Sequence, residues 1–240
     1  MIASGGPRLD HSHMPRRTIV IVTARDEADR LGATLEAIAG AFPGARVVVA
    51  DDGSRDPTAH VALQAGAELV RAVPARGKGG AATLAAERVM AQALEPDAPI
   101  VVLCDGDLGD SAAGLTALAA VVERGEADVA VAAFAHREGG GFGFALRFAR
   151  WAIRRLTGVE LRAPISGQRA LRGDVLPVVV PFAHGFGMEI GMTVDAVRAG
   201  YRLVEVELDL GHRATGRTLR GFVHRGRQLA DCARLYLDRR

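Results

Sequence analysis

Residues 98–107 read Ala98-Pro99-Ile100-Val101-Val102-Leu103-Cys104-Asp105-Gly106-Asp107. An unbroken run of Val, Ile and Leu predicts a strand that is buried on both faces, as in a parallel sheet. Ligands of such sheets bind outside the carboxyl ends of the strands, where Asp105 and Asp107 lie. Mg²⁺ and Mn²⁺ take oxygen ligands and often complete their shell with substrate phosphates. The stretch therefore predicts a cation site, and a turn with a helix cap is the competing interpretation.

Segments typical of strands and helices alternate through the first 135 residues, which is the pattern of βαβ units. Strands are predicted at residues 18–22, 47–50, 68–73, 100–103, 128–134 and 201–208. Helices are predicted at residues 31–42, 56–65, from 79 to beyond 90, 111–122, around 146–153 and 187–199, with a basic amphipathic helix at 219–237 and an irregular segment at 164–167. No repeat or linker marks a second domain. We expect a single α/β domain over residues 18–240, with a mostly parallel central sheet flanked by helices.

The composition limits the class of partner. The chain has 240 residues, of which 49% are hydrophobic and 24% charged, as in an ordinary globular enzyme. Only 5% are aromatic and the net charge is +2, so neither a stacking platform for single strands nor a general polyanion surface is expected. The two cysteines are far apart and predict neither a disulfide framework nor a zinc site. We expect a cytoplasmic protein that binds no nucleic acid.

No stretch approaches 18 uninterrupted apolar residues, so no membrane span is predicted. Residues 1–17 contain Gly, Pro, His and Arg without an apolar core, which predicts a disordered lead-in rather than a secretory signal. Basic residues crowd positions 213–240, which leaves contact with the inner face of a membrane open as an alternative.

Three loops leave predicted strands at the same edge of the sheet. They are residues 23–27, 51–54 and 105–107. Acidic and polar groups collected there can accept hydrogen bonds from ribose hydroxyls or a base and can hold a cation, so we expect a nucleotide. Residues 51–54 are also compatible with a turn made of helix-capping residues.

A glycine-rich segment opens the third predicted helix, and it reads Arg76-Gly77-Lys78-Gly79-Gly80. Glycines let the backbone approach an anion, the helix start offers free N–H groups, and Arg76 and Lys78 add positive charge. A diphosphate contact is predicted. Because Gly79 stands where a Walker A loop needs Ser or Thr, and no complete Gly-x-Gly-x-x-Gly is present, ATPase and dehydrogenase functions are not favoured.

Four ordered segments resemble the family 2 glycosyltransferases of the GT-A, Rossmann-like fold. Residues 23–27 are similar to its Pro-Ala-x-Asn-Glu-Glu loop, with Arg25 in place of Asn, and residues 48–59 to its Val-Val-Asp-Asp-Gly-Ser segment. Residues 77–79 match its lysine loop and residues 105–107 its metal-binding Asp-x-Asp. The resemblance implies that the nucleotide-sugar donor contacts Ala24, Arg25, Glu27, Asp52, Gly53, Ser54, Gly77, Lys78, Asp105 and Gly106.

Residues 164–169, 181–191 and 209–213 are similar to the glucosyl-3-phosphoglycerate synthase branch of that family. This resemblance implies that residues 18–135 bind the donor and residues 136–240 the acceptor. It assigns the acceptor to Ser166, Gly167 and Gln168, and the donor sugar to Glu189. It also implies that His212 joins Asp105 and Asp107 in holding the metal. A first-turn helix acid at Glu189 and a surface histidine at 212 are the alternatives.

Arginines follow the last predicted strand. Arg213 and Arg217 suit a phosphate-bearing acceptor or the leaving diphosphate, because guanidinium groups bind such anions with two parallel hydrogen bonds. A solvated helix face and a helix lying on anionic lipid are the alternatives.

Together these features predict an Mg²⁺- or Mn²⁺-dependent transferase. The resemblance implies that the hexose it moves is glucose, transferred from UDP-glucose to a small phosphorylated acceptor such as 3-phosphoglycerate, with Asp107, Glu189 and Lys78 as catalytic residues. The alternatives are a polyprenyl-phosphate glycosyltransferase at the membrane surface, a sugar-1-phosphate nucleotidylyltransferase and a non-catalytic nucleotide-sugar-binding domain. Residues 23–31 lack the glycine run of the nucleotidylyltransferases. A homodimer stays open.

Overall fold

A computed structural model describes residues 17–95, 97–134, 143–185, 187–210, 231 and 233–240. These residues form a seven-stranded sheet in the order β3-β2-β1-β4-β6-β5-β7. The strands are β1 (Thr18–Ala24), β2 (Arg46–Asp51), β3 (Glu68–Arg71), β4 (Ile100–Asp105), β5 (Val129–Phe134), β6 (Arg169–Arg172) and β7 (Leu203–Leu208). Strand β6 runs antiparallel to both its neighbours, and the other pairs are parallel. The predicted mostly parallel sheet is confirmed.

Helices cover both faces of this sheet. They are α1 (Leu31–Ala41), α2 (Thr58–Gln64), α3 (Gly77–Ala93), α4 (Thr116–Glu123), α5 (Gly143–Thr157), α6 (Leu176–Val179) and α7 (Gly187–Arg198), with 3-10 turns at Gly109–Leu115 and Gly173–Val175. The segment predicted as one helix over residues 111–122 is divided, because its first part forms the tighter 3-10 turn. Residues 233–238 are helical, and the rest of the helix predicted at 219–237 lies outside the described residues, except residue 231.

Strands β1 and β4 form the centre of the fold because both of their faces are apolar. Val20 and Val102 pack towards α1 and α4, whereas Ile21 and Leu103 pack towards α3, α6 and α7. All four side chains are buried. Burial of apolar surface on two faces explains why these strands read as continuous hydrophobic runs rather than as alternating patterns.

Strand β6 is the one strand that the sequence patterns miss. It reads Arg169-Ala170-Leu171-Arg172, and two arginines in four residues are unusual in a central strand. Its ladders with β4 and β5 place it inside the sheet all the same. A short strand between two long apolar neighbours is determined by their exposed hydrogen-bonding groups more than by its own propensity.

The strand register brings the predicted site loops to one level. Thr23 pairs with Ala50 on β2 and with Asp105 on β4. Strands β1, β2 and β4 therefore end side by side, which confirms the expectation that their loops converge at one edge of the sheet.

None of the helices in the described part of the chain combines the length and the hydrophobicity needed to cross a bilayer. Of the lead-in predicted at residues 1–17, the structure describes Arg17 alone.

Two glycines provide a matched test of the packing. A Cβ on Gly173 would lie 2.9 Å from the carbonyl oxygens of both Ala93 and Pro99, whereas a Cβ on Gly40, in α1, would meet nothing within 4 Å. We expect Gly173→Ala to lower stability by about 1–3 kcal/mol through overpacking and Gly40→Ala to raise it by up to about 1 kcal/mol.

Thermal unfolding of both variants would measure this, since about 1 kcal/mol shifts Tm by roughly 2–4 °C in a chain of this size. Equal Tm values for the two variants would contradict the described packing around Gly173.

Candidate active site

The turn after β2 is built around Asp51, whose side chain is completely buried. Its Oδ1 accepts hydrogen bonds from the backbone N–H of Ser54, at 2.9 Å, and from the Ser54 hydroxyl. Nε of Arg71 lies 2.9 Å from Oδ2 in an ion pair that lacks hydrogen-bond geometry. Gly53 closes the turn at a φ of +68°, where a side chain is disfavoured. Asp51, Gly53 and Ser54 therefore build the turn itself.

Asp52 links this turn to the start of α3. Oδ1 accepts hydrogen bonds from the backbone N–H groups of Arg76, at 2.7 Å, and Gly77, at 2.9 Å. Oδ2 accepts one from Nη1 of Arg25 at 3.0 Å. A buried carboxylate thus compensates the unsatisfied N–H groups at a helix start and one guanidinium group. Arg25, Asp52 and Gly77, which sequence analysis assigned to one donor site, form one network.

The loop after β1 is fastened to the loop after β2. Three consecutive backbone N–H groups of the first loop donate hydrogen bonds of 2.9–3.0 Å to side chains that follow β2. The donor and acceptor residues are Asp26 and Ser54, Glu27 and Thr58, and Ala28 and Asp56. The carbonyl of Ala24 accepts a hydrogen bond from the Asp52 N–H at 3.0 Å. The predicted donor contacts Ala24 and Glu27 consequently lie in a loop whose backbone is held on two sides.

Lys78, in the first turn of α3, lies at the centre of the site. Its Nζ is 2.8 Å from Oδ1 of Asp105 and 3.0 Å from Oε1 of Glu189. Asp105 ends β4 and Glu189 lies in the first turn of α7, so one ammonium group joins two distant parts of the chain. The Lys78 and Asp105 side chains are each 32% exposed, and that of Glu189 is 4% exposed. The site is therefore open on the Asp105 side.

The second oxygen of Glu189 has no hydrogen-bond partner among the described residues. Oε2 is buried, and no hydrogen bond from a described residue reaches it. Burying an acceptor without a partner costs free energy unless a ligand supplies a donor. This atom can therefore accept a hydrogen bond from a hydroxyl group of a bound molecule.

Asp105 has three contacts of its own. Oδ1 accepts a hydrogen bond from the Thr23 hydroxyl at 3.0 Å in addition to the Lys78 contact, and Oδ2 accepts one from Nε2 of Gln168 at 2.8 Å. Because a carboxylate offers about four acceptor positions, Oδ2 keeps one for a further ligand.

The segment 166–168 packs directly on this centre. The Ser166 hydroxyl lies 3.3 Å from Oε1 of Gln168, and both residues are buried. A Cβ on Gly167 would lie 2.5 Å from Nζ of Lys78 and 3.2 Å from Oδ2 of Asp105. The absence of a side chain at position 167 thus allows the segment to approach the ammonium and the carboxylate closely.

The loop that contains Asp107 is held by Thr34, on α1, and by Arg30, the residue that precedes this helix. Thr34 donates through its hydroxyl to the carbonyl of Gly106 at 2.8 Å and accepts from the N–H of Gly109 at 2.8 Å. Nη1 of Arg30 donates to the Asp107 carbonyl at 3.1 Å. A Cβ on Gly106 would lie 3.2 Å from Cβ of Ala24, so the loop packs tightly on β1. Asp107 is thereby held near the end of β4.

The donors at this edge fit a hard divalent cation. Asp105 and Asp107 supply carboxylate oxygens from one loop, and Mg²⁺ or Mn²⁺ is commonly held by one or two carboxylates together with substrate phosphates. The described residues include no group of three His, Cys, Asp or Glu side chains suited to a metal. The third predicted ligand, His212, lies outside the described residues, as do Arg213 and Arg217.

Three residues that sequence reasoning did not single out help to build this site. Thr23 orients Asp105, Thr34 holds the Asp107 loop, and Arg169 binds the segment before Gly167. Thr34 lies on the buried face of α1, where no spacing or motif marks it. Arg169 ends the matched segment 164–169, but it lies in a strand that was not predicted, so its burial could not be inferred from the sequence. Thr23 could have been found, because it is the polar residue that directly follows the apolar strand predicted at 18–22.

Electrostatics keeps the central ion pair charged. Burial opposes the charge of Lys78, but the carboxylates of Asp105 and Glu189 outweigh it and raise the lysine pKa. Burial likewise opposes ionisation of Asp105, and Lys78 together with the Thr23 and Gln168 hydrogen bonds lowers its pKa overall. At neutral pH the site therefore presents a permanent ammonium beside an ionised carboxylate.

Comparison with known proteins connects this geometry to a family. The family model described as Glycosyl transferase family 2 matches residues 19–190. The chain is 32% identical over 244 residues to the glucosyl-3-phosphoglycerate synthase of Mycolicibacterium paratuberculosis, an alignment that covers 90% of this chain and 68% of the synthase.

Solved structures agree. The chain superposes with a TM-score of 0.73 and 26% identity on glucosyl-3-phosphoglycerate synthase of Mycobacterium tuberculosis in complex with Mn²⁺, UDP and glucosyl-3-phosphoglycerate, over 100% of this chain and 86% of that one. The complex of that enzyme with Mn²⁺, UDP-glucose and glycerol 3-phosphate gives a TM-score of 0.72, with the same identity and coverage.

Lys78→Met tests the central ion pair through its pH dependence. The variant leaves two carboxylates near each other without their cation, so we expect it to lose about 1–3 kcal/mol of stability at pH 7. Because the pKa of Asp105 is lowered in the fold, its contribution is present above its usual value of 3.8 and is lost as the pH falls through the folded value. The difference in unfolding free energy between the wild type and Lys78→Met should therefore disappear as the pH falls below 3.8.

On the alkaline side, the raised pKa of Lys78 means that its contribution is full below the usual value of 10.5 and is lost only above it. Urea unfolding at several pH values would measure this difference. Arg88→Met is the control on the same helix, because its contact with Glu68 is 3.8 Å long and exposed. A difference in stability that does not decrease at all as the pH falls below 3.8 would contradict the Asp105 assignment.

Proposed function

Because the chain belongs to glycosyl transferase family 2, we propose that it transfers glucose from UDP-glucose to a small phosphorylated acceptor such as 3-phosphoglycerate. The observation that supports this most directly is the placement of Lys78 between Asp105 and Glu189 at the carboxyl end of β4. Around one open position lie the Lys78 ammonium, the Asp105 carboxylate that we assign to the metal, and Oε2 of Glu189, which accepts no hydrogen bond from a described residue. The Mycobacterium tuberculosis synthase, on which the chain superposes, has been solved in complex with UDP-glucose and glycerol 3-phosphate.

The donor site is proposed at the edges of β1, β2 and α3. Ala24, Arg25, Glu27 and the turn residues Asp52, Gly53 and Ser54 would contact the nucleoside, while Gly77 and Lys78 would contact the diphosphate. The start of α3 suits this role because the positive end of the helix dipole and the Lys78 ammonium attract anions. Arg25 pairs with Asp52, so a nucleoside that binds Asp52 must share its carboxylate with a guanidinium group.

We assign the metal to Asp107, with Asp105 and His212 as its partners and Gly106 as the spacer between the two carboxylates. When bound, the cation supplies Lewis-acid stabilisation of the departing diphosphate. Lys78 adds a fixed positive charge for the same leaving group, and its raised pKa keeps it protonated throughout the neutral range. These charges are present before the reaction starts, so little reorganisation is needed.

Glu189 would orient the sugar through Oε2, the buried oxygen to which no described residue donates a hydrogen bond. During transfer, the bond between the anomeric carbon and the diphosphate oxygen breaks, and its electron pair stays on the departing diphosphate. The acceptor oxygen forms the new bond to the anomeric carbon. An acceptor hydroxyl must give up its proton, for which a carboxylate of the cleft or the donor phosphate is available. An acceptor phosphate or carboxylate oxygen is already ionised and needs no base.

The acceptor would lie beside Ser166, Gly167 and Gln168, which pack against the Lys78 centre. Its phosphate would bind Arg213 and Arg217. This assignment places donor contacts in residues 18–135 and acceptor contacts in residues 136–240, with Glu189 reaching across to the donor sugar.

A donor and acceptor panel tests the function. UDP release would be measured with UDP-glucose and other nucleotide sugars, with 3-phosphoglycerate and glycerol 3-phosphate as acceptors, in Mn²⁺, Mg²⁺ or EDTA. We expect metal-dependent release with UDP-glucose and 3-phosphoglycerate. Turnover confined to polyprenyl phosphate in liposomes would contradict this acceptor and favour a membrane-surface enzyme. No turnover with any pair would favour a binding domain.

Asp107→Ala tests the metal assignment. Loss of the proposed principal ligand should lower kcat by at least about a hundredfold, because stabilisation of the leaving group weakens. Mn²⁺ binding, measured by electron paramagnetic resonance, should weaken in parallel. Asp110→Ala is the control, since Asp110 is an exposed acid three residues further on. Unchanged Mn²⁺ affinity in Asp107→Ala would remove Asp107 from the metal site.

A further inference from the structure

Arg169 is a buried arginine that the proposed mechanism does not use. Its side chain is 0% exposed, and its hydrogen-bond acceptors among the described residues are neutral oxygens. Burial lowers its pKa to about 10, and the charges of Glu189 and Glu205 oppose that shift. The guanidinium group therefore remains charged at neutral pH in a place where charge is costly. Such a group requires strong hydrogen bonds.

Those hydrogen bonds join residues 164–168, the acceptor segment, to α7, the helix that contains Glu189. Nε donates to the Ser166 carbonyl at 2.9 Å and Nη2 to the Pro164 carbonyl at 3.3 Å. Nη1 donates to Oγ1 of Thr193, at 2.9 Å, on α7. Three donors in a rigid fork thus hold two carbonyls of one segment and one hydroxyl of a helix.

Thr193 continues the connection to the sugar site. Its hydroxyl donates to the Glu189 carbonyl at 3.0 Å, one helical turn earlier. On the other side, the segment that Arg169 holds leads directly into Gly167 and Gln168, which contact Lys78 and Asp105. A single side chain therefore connects both walls of the site.

The effect of Arg169 should be local. The start of the same segment has a second anchor, because Glu205 on β7 accepts hydrogen bonds from the N–H groups of Arg162, at 2.8 Å, and Ala163, at 2.6 Å. Loss of the Arg169 contacts would free residues 164–166 and leave the start of the segment in place. The residues that would move are those next to the proposed acceptor.

We propose that Arg169 is a positioning residue that holds the acceptor segment 164–168 at a fixed distance from Lys78 and Glu189, so that the acceptor meets the donor sugar in a reactive arrangement. The inference rests on the proposed function. A displacement of about 1 Å at such a segment can cost about a hundredfold in rate.

The same strand offers a matched control. Arg172 is also on β6, but its guanidinium binds Asp128 and Asp174, at the opposite end of the strand from the site. Replacing Arg172 removes structural ion pairs without touching the acceptor segment. If the role of Arg169 were purely structural, replacing either arginine would affect stability and the acceptor KM in the same way.

The test compares Arg169→Lys, Arg169→Met and Arg172→Met by steady-state kinetics with Mn²⁺, UDP-glucose and 3-phosphoglycerate. We expect Arg169→Lys to raise KM for 3-phosphoglycerate about tenfold and to lower kcat, with the Kd for UDP within about twofold of wild type. Arg169→Met should have the larger effect. Arg172→Met should lower Tm and leave the KM for 3-phosphoglycerate unchanged.

Thr193→Val covers the case in which the Arg169 variants do not fold. It removes one hydrogen bond of the fork and the link to Glu189, and we expect a rise of a few-fold in KM for 3-phosphoglycerate that Thr193→Ser does not show. An acceptor KM that is unchanged in every soluble Arg169 and Thr193 variant, or that rises equally in Arg172→Met, would overturn the proposal.

Hydrogen exchange separates this proposal from the proposed function. Amides of residues 165–168 should exchange faster in Arg169→Lys or Thr193→Val than in wild type, while those of Ala163, which Glu205 holds, and of β4 do not change. If the wild-type protein is inactive but the variants show this exchange pattern, the proposed substrates are wrong and the role of Arg169 in ordering the segment stands. An unchanged exchange pattern would reject the role of Arg169 whatever the activity.

Discussion

The ammonium group of Lys78 is the interaction on which the site depends. It lies within 3.0 Å of a carboxylate at the end of β4 and of another at the start of α7. Without it, two negative groups would face each other at the position proposed for the negatively charged diphosphate. The segment 166–168 reaches this centre only because Gly167 has no side chain. Charge balance and close backbone approach therefore act together.

This arrangement is possible because three parallel strands end at one level. The register of β1 with β2 and β4 brings Asp51, Asp52 and Asp105 to the same edge of the sheet. Two of these carboxylates then have different roles. Asp52 compensates the start of α3 and Arg25, whereas Asp105 binds Lys78, Thr23 and Gln168. Neighbouring carboxylates are thus separated by the cations and N–H groups that each one binds.

Much of the fold could be predicted from residues alone. The apolar run before Asp105 and the helical spacing around Leu35 reflect burial periodicities, which are local properties of the chain. Strand β6 could not, because two arginines in four residues carry no strand signal and its place depends on the free edges of β4 and β5. The prediction that the loops converge at one edge was correct, because the direction and order of the strands determine which strand ends lie side by side. The roles of the individual site residues remain predictions.

The sequence by itself determined the family, the order of the elements and the chemical groups available at the sheet edge, because each of these depends on short patterns of residues. Only the tertiary structure decided which group binds which. It paired Lys78 with Glu189, 111 residues away, and buried Arg169 against Ser166 and Thr193. These contacts follow from packing between distant segments, where the cost of burying a charge forces each polar group to find a partner that no local pattern specifies.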